Sequence, residues 1–239
     1  MYFVNDSKNK VIFGWSAKAG CTHIKKYFLM LTGKDNFGDD VHKDFFYKTK
    51  LPEDLTDYTV IFFVRNPYKR VISAYLDRFR FVHNINYCFR NFLKIDPELF
   101  DYHHFCPQMS EQYDNDRPGG VHIKPTHIYD IENIDYAHVN ALFGVSGIGK
   151  EDIFQGTHIS SYNPSVRQFV GNNSVLKDVP TYQYFYDTEI EKDVEDIYKK
   201  DFDFFREHGI EYTRPTTLQQ YEQSPISSPI SSPDNTSLS

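Results

Sequence analysis

Val11-Ile-Phe-Gly-Trp-Ser-Ala-Lys-Ala-Gly-Cys-Thr-His-Ile-Lys-Lys-Tyr-Phe-Leu-Met-Leu31 changes periodicity in its middle, and that change decides the fold. Val11 to Trp15 is a short apolar run suited to a buried strand. Ile24, Tyr27, Phe28 and Leu31 follow at i, i+3, i+4 and i+7, the stripe of one helix face. Gly33 is placed to close that helix. Between strand and helix lie only small residues and one lysine, Ser16-Ala-Lys-Ala-Gly-Cys-Thr22. A strand, a tight turn and a helix start gather backbone N–H groups around one point, and the positive end of the helix dipole faces the same point. The segment therefore reads as an anion cradle, with Lys18 adding a full charge.

A second unit of the same kind lies downstream. Thr59-Val-Ile-Phe-Phe-Val-Arg-Asn66 is a continuous β-branched and aromatic run, the pattern of a strand buried on both faces of a parallel sheet. Asn66 followed by Pro67 predicts an N-cap and a sharp helix start. That helix should reach about Phe81 and bury Val71, Ile72, Tyr75, Leu76 and Phe79. Two strand-to-helix units, each with small or basic residues at the strand's C-terminal end, imply an open α/β sheet whose ligand binds beyond those ends.

The remaining chain is less regular. Residues 34–58 read as a connection with one short helix, where Phe45, Phe46 and Tyr47 form the apolar cluster. Tyr87 to Leu93 predicts another short helix; Pro97, Pro107, Pro118 and Gly119-Gly120 break up the chain beyond it. Val121 to Tyr129 suits one or two short strands, and Glu132 to Phe143 a helix stopped by Gly144. Residues 144–180, rich in Gly, Ser and Asn, read as a long loop of functional length. Thr188 to His208 reads as one helix stopped by Gly209, with Ile190, Val194, Ile197, Tyr198, Phe202 and Phe205 setting its period. After Pro215 the chain turns to Gln, Ser and Pro. The expected organisation is one domain over 1–215 and a disordered tail over 216–239.

Composition removes several classes of function. At 239 residues and 40% hydrophobic, the chain can build one sizeable core. A net charge of −7 argues against a broad nucleic-acid surface. The longest apolar run, Val60 to Val64, falls far short of the ~18 residues of a membrane span. Met1 to Lys8 lacks the pattern of a signal peptide, and three cysteines (Cys21, Cys88, Cys106) are too few for a disulfide scaffold. A cytoplasmic protein is the expectation. His103, His104, Cys106 and Cys88 match no paired zinc-ligand spacing.

The first loop is not G-x-x-x-x-G-K-[ST], in which lysine follows the glycines and a hydroxyl binds magnesium: here the lysine precedes the glycine, as Lys18-Ala-Gly-Cys-Thr22. Arg65 ends the second strand, and Ser73 lies about two turns into the next helix, so guanidinium and hydroxyl can share one phosphate. The alternative for Arg65 is an ion pair with Asp57 or Asp77.

Together these elements resemble the carbohydrate sulfotransferases of the chondroitin and HNK-1 branch. Lys18-Ala-Gly-Cys-Thr-His-Ile-Lys-Lys26 is similar to that family's 5′-phosphosulfate loop. Phe63-Val-Arg-Asn-Pro-Tyr-Lys-Arg-Val-Ile-Ser-Ala-Tyr-Leu-Asp-Arg-Phe79 resembles its 3′-phosphate motif. His104-Phe-Cys-Pro-Gln108, Tyr129-Asp-Ile-Glu-Asn133 and Tyr198-Lys-Lys-Asp-Phe-Asp-Phe-Phe205 continue the likeness, which runs from about residue 10 to 212. Asn66 stands where the family has aspartate, Ile24 where it often has tryptophan, and the Golgi enzymes' membrane anchor has no counterpart.

The resemblance implies a three-layer, P-loop-like α/β fold around a central parallel sheet. It implies 3′-phosphoadenosine 5′-phosphosulfate (PAPS) as donor, no metal, and a carbohydrate or glycoconjugate hydroxyl as acceptor. Lys18, Gly20, Cys21, Thr22 and His23 would hold the phosphosulfate, and Arg65 and Ser73 the 3′-phosphate. Lys18 would stabilise the leaving oxygen, and His104 would serve as base with His103 as its neighbouring alternative. His158, Asn163 and Arg167 are candidates to line the acceptor or donor site. A nucleotide or small-molecule kinase, or a non-catalytic nucleotide-binding relative, are the rival expectations.

Overall fold

A computed structural model of the chain describes residues 1–34, 41, 51–79, 85–109, 123–154, 161–163, 168–171, 174–176 and 179–217. At its centre four strands lie in the order β1 (Tyr2–Asp6), β2 (Val11–Trp15), β3 (Thr59–Val64) and β4 (His127–Asp130). The β2–β3 and β3–β4 pairs are parallel, whereas β1 folds back antiparallel onto β2, with Tyr2 opposite Trp15 and Asp6 opposite Val11. The sequence reading assigned no strand before Val11.

Period-two alternation explains how the sheet is covered on both sides. Val11, Phe13, Trp15, Ile61 and Phe63 face one cluster with Ile24, Tyr27, Phe28 and Leu31 of α1 (Cys21–Leu31). Ile12, Val60, Phe62 and Val64 face the other, which contains Phe205. Gly14 is needed for close approach, since an added Cβ would lie 2.8 Å from Phe3 Cε1 and 3.0 Å from Phe62 Cδ1. The result is a mostly parallel sheet between helical layers, the α/β class expected.

Local signals account for most helix ends. In α1 the amide of Lys34 reaches Leu29 O and that of Gly33 reaches Met30 O, with Gly33 at φ 70°: a Schellman close. Helix α2 (Pro67–Phe79) starts where Asn66 Oδ1 accepts the Tyr68 amide at 2.9 Å. Helix α3 spans Ile85–Leu93. Pro97 does not break the chain but opens α4 (Pro97–Phe105), capped by Asp96. This corrects the expectation: Asp96-Pro97-Glu98 is an N-cap followed by proline at the first helical position, as at Asn66-Pro67. The helix read over Glu132 to Phe143 is shorter, α5 (Tyr136–Leu142), because Asp135 caps it at the His138 amide.

Two further expectations are corrected. Residues 144–180 are not one loop: they contain α6 (Lys150–Phe154) and an antiparallel sheet of Ser161–Asn163, Gln168–Gly171 and Ser174–Leu176. The helix read over Thr188 to His208 is two, α7 (Thr188–Ile197) and α8 (Lys199–Glu207), divided at buried Tyr198. The bend lets one segment serve two cores. Ile190 and Val194 pack with α2, while Phe205 packs under the central sheet. Thr216 is tied to Glu191 by its amide (2.7 Å) and hydroxyl (2.8 Å); residues 218–239 lie outside the described residues, as does the cluster Phe45 to Tyr47.

Candidate active site

The site forms beyond the C-terminal ends of β2 and β3, where the loop of residues 16–20 meets α2. Lys18 (φ 64°) and Gly20 (φ 70°) both take the left-handed conformation. For a lysine this costs on the order of 1–2 kcal/mol, so neighbours must hold it. They do so through the flanking carbonyls. Arg70 Nε donates to Ala17 O at 2.9 Å, and Arg65 Nη1 donates to Lys18 O at 3.0 Å. The Ala19 amide turns back to Ser16 O at 3.2 Å. Gly20 is the N-cap of α1 and offers no side chain to cap it, so the first turn at Cys21, Thr22 and His23 presents backbone amides at the positive helix end.

Side chains complete the cradle. Lys18 Nζ stands 3.4 Å from Asp77 Oδ2, and both side chains are largely buried. Burial pulls the Lys18 ammonium below its ordinary range, against the opposing pull of Asp77 and Cys21. Asp77 Oδ1 and Arg65 Nε are buried and have no hydrogen-bond partner among the described residues. Arg65 does not pair with the carboxylates considered for it: Asp57 binds Lys10 at 2.8 Å, and Asp77 faces Lys18. Ser73 is buried on α2, three residues after Arg70 and one turn before Asp77, so the three share a helix face.

Gln108 locks the end of β3. Its side chain accepts from the Arg65 amide (2.9 Å) and donates to Arg65 O (2.7 Å), pairing with the backbone as a neighbouring strand would. Fully buried Asp201 on α8 holds this segment from behind, accepting from the amides of Gln108 (2.9 Å) and Met109 (2.8 Å).

His104 enters through the same segment. Helix α4 is interrupted at Asp101, whose backbone is extended (φ −154°, ψ 86°). The Asp101 carboxylate therefore turns onto the next turn, reaching His104 Nδ1 at 2.8 Å and bonding the His104 amide. Arg78 on α2 pairs with Asp101 at 2.9 Å and sets Nη2 2.7 Å from His104 Nδ1 and 3.3 Å from Nε2. Burial, then the neighbouring His103 and Arg78, lower the His104 pKa to about 4, so the ring is neutral near pH 7. His103 instead turns to the Tyr2 hydroxyl.

The predicted residues thus divide. Lys18, Gly20, Cys21, Thr22, Arg65 and Ser73 border one loop–helix junction, and His104 joins it through α2. The His23 side chain turns away, with Nε2 2.8 Å from Tyr136 Oη; burial and Lys150 bring its pKa to about 4. Its expected role is confined to its backbone. Asn163 lies in the small sheet, paired with Gln168, while His158 and Arg167 fall outside the described residues. Among the described residues no group of three or more His, Cys, Asp or Glu could hold a metal ion. No described helix is long and apolar enough to cross a membrane.

Arg70, Arg78, Asp101, Gln108 and Asp201 received no role from the sequence. One signal was available: Arg70, Ser73 and Asp77 recur at i, i+3 and i+7, a polar stripe on a helix otherwise packed into a core.

A loop lysine, backbone amides at a helix start and a strand-end arginine gathered at one junction can hold an anion such as a sulfate or phosphate. The chain is a member of the sulfotransferase family, whose model matches residues 1–206. Among curated proteins it is similar to carbohydrate sulfotransferase 11 of Rattus norvegicus and of Mus musculus, 27% identical to each over 100 residues. Each match covers 36% of this chain and 28% of the relative's length. No solved structure is a significant match.

Proposed function

We propose that this chain transfers a sulfuryl group from PAPS to a hydroxyl of a carbohydrate or glycoconjugate. The observation that carries the reading is the convergence of anion-binding groups on one junction. Lys18 and the start of α1, which no side chain caps, suit one anion; Arg65, whose buried Nε has no hydrogen-bond partner among the described residues, and Ser73, buried on the helix that follows it, suit a second. A donor with a 5′-phosphosulfate and a 3′-phosphate needs two such sites; a nucleoside triphosphate would leave the second empty. The carbohydrate acceptor is supported by the name of the relatives, carbohydrate sulfotransferase 11.

PAPS supplies a sulfuryl group already activated by attachment to a phosphate. The protein contributes position and charge. Lys18 exchanges Asp77 for the anion and neutralises charge on the leaving oxygen. Amides at the start of α1 hold the adjacent phosphate, and Arg65 and Ser73 hold the 3′-phosphate. His104 accepts the proton of the attacking hydroxyl. With Nδ1–H donated to Asp101 (2.8 Å), Nε2 keeps its lone pair; Arg78 Nη2, 2.7 Å from the same nitrogen and only a donor, must then bond Asp101 rather than the ring.

Thermal-shift titration with adenosine 3′,5′-bisphosphate, against ATP with magnesium, tests the donor site. Labelled PAPS with a panel of glycans, phenols and peptides tests transfer. Stabilisation by the bisphosphate and label on a glycan are expected. A response to ATP alone would refute the reading.

A further inference from the structure

Arg70 is 1% exposed, yet it carries a charge and belongs to neither anion site. Among the described residues it donates to three backbone carbonyls: Nε to Ala17 O (2.9 Å), Nη1 to Cys106 O (2.8 Å) and Nη2 to His104 O (3.2 Å). Ala17 immediately precedes Lys18. One rigid guanidinium thus grips the segment that carries the lysine and the segment that carries the histidine, 87 residues apart in sequence by their flanking positions 17 and 104.

From this geometry we infer that Arg70 is a positioning residue that sets the placement of Lys18 relative to His104. The inference rests on the donor reading above. The planar fork is what makes arginine necessary, because its donors point in fixed, divergent directions toward three acceptors. A lysine would keep the charge but offer one mobile nitrogen. Peptide planarity carries the effect to the site: with Ala17 C=O aimed at Arg70, the Lys18 N–H points the opposite way. Arg65 holds the following carbonyl, so two arginines fix the two peptide planes around Lys18. On the other side, pinning His104 O and Cys106 O fixes the turn in which Asp101 and Arg78 reach the imidazole.

The test is Arg70→Lys in the full chain, with three readouts: affinity for adenosine 3′,5′-bisphosphate, the His104 titration followed by NMR, and sulfate transfer per nucleotide-binding site. Nucleotide affinity should stay within about fivefold, since Lys18, Arg65 and the α1 amides remain. The His104 pKa should rise by one unit or more from about 4 toward its ordinary value as its segment loosens. Transfer should fall about a hundredfold, the scale of misplaced reacting groups. A His104 pKa that stays near 4, or transfer lost only in proportion to nucleotide binding, would overturn the inference. If Arg70→Lys does not fold, wild-type amide exchange decides. Saturating nucleotide should slow exchange at Ala19 and Cys106 together; protection of Ala19 with Cys106 unchanged refutes the coupling. Wild type that binds no bisphosphate removes the donor reading, and this inference with it. Wild type that binds it while Arg70→Lys behaves like wild type removes the inference alone.

Discussion

Lys18 is held in a left-handed backbone with its ammonium against a buried carboxylate, and both facts bear on how it meets an anion. Asp77 balances the lysine charge and would also repel the phosphosulfate of the proposed donor. Removing that charge should favour the ligand: Asp77→Asn is expected to tighten adenosine 3′,5′-bisphosphate binding about tenfold, about 1.4 kcal/mol, measured by calorimetry. Weaker binding would mean that the carboxylate holds Lys18 in its binding pose. Lys18→Ala should abolish binding in the same assay. For His104, a pKa of about 4 places the neutral ring across the physiological range. The kcat/KM profile should be flat from pH 6 to 8 and fall only below about pH 5, and His104→Ala should cost about 10²–10⁴-fold. An inflection between pH 6 and 7 that survives His104→Ala would assign the base elsewhere.

At the scale of elements, short polar side chains at helix starts do much of the placing. Asn66, Asp96, Asp135 and Asp187 each cap a helix, and Asp101 caps a turn inside one. Asp201 is the extreme case, a buried carboxylate on α8 spent on two amides of the Gln108 segment. Asp201→Ala would leave both amides buried without an acceptor, at about 1–3 kcal/mol each. Urea unfolding should show a loss of about 2–6 kcal/mol; a loss under 1 kcal/mol would show that water replaces the carboxylate. In β2, Gly14→Ala drives a Cβ into Phe3 and Phe62. It should cost about 1–3 kcal/mol in the same measurement while leaving nucleotide affinity per folded molecule unchanged.

Across the whole molecule, half-buried neutral histidines link stability to pH. His23 and His104 both have a folded pKa of about 4 against an ordinary 6.5. Between those values the unfolded chain binds protons that the folded chain refuses, so stability is full above pH 6.5 and lost as pH falls toward 4. By pH 5 the loss is at most roughly 2 kcal/mol for His23 and well below that for the more exposed His104, whose charge is screened by solvent. The thermal midpoint should drop steadily from pH 7 to 5, and His23→Gln should flatten that drop. An unchanged midpoint across the range would contradict the burial that neutralises these rings.

Val11 to Leu31 and Thr59 to Phe79 were legible as strand–turn–helix units because their signals are local: period, small residues, a cap, a proline, a glycine. Those signals, with the motifs they carry, determined the α/β class and the candidates Lys18, Arg65 and Ser73. The strand of residues 2–6 was not legible, because its pairing with Val11 to Trp15 is what makes five residues a strand. Nor were the three short strands between 161 and 176, or the bend at Tyr198, which depends on two cores that the local period does not record. The contacts that shape the site span long sequence separations: Arg70 with Ala17 and His104, Gln108 with Arg65, Asp201 with Gln108. Each residue alone reads as an ordinary polar position on a helix or loop. Packing decides them, because once burial removes water a guanidinium or carboxylate must find protein partners, and only the folded chain brings those partners within reach.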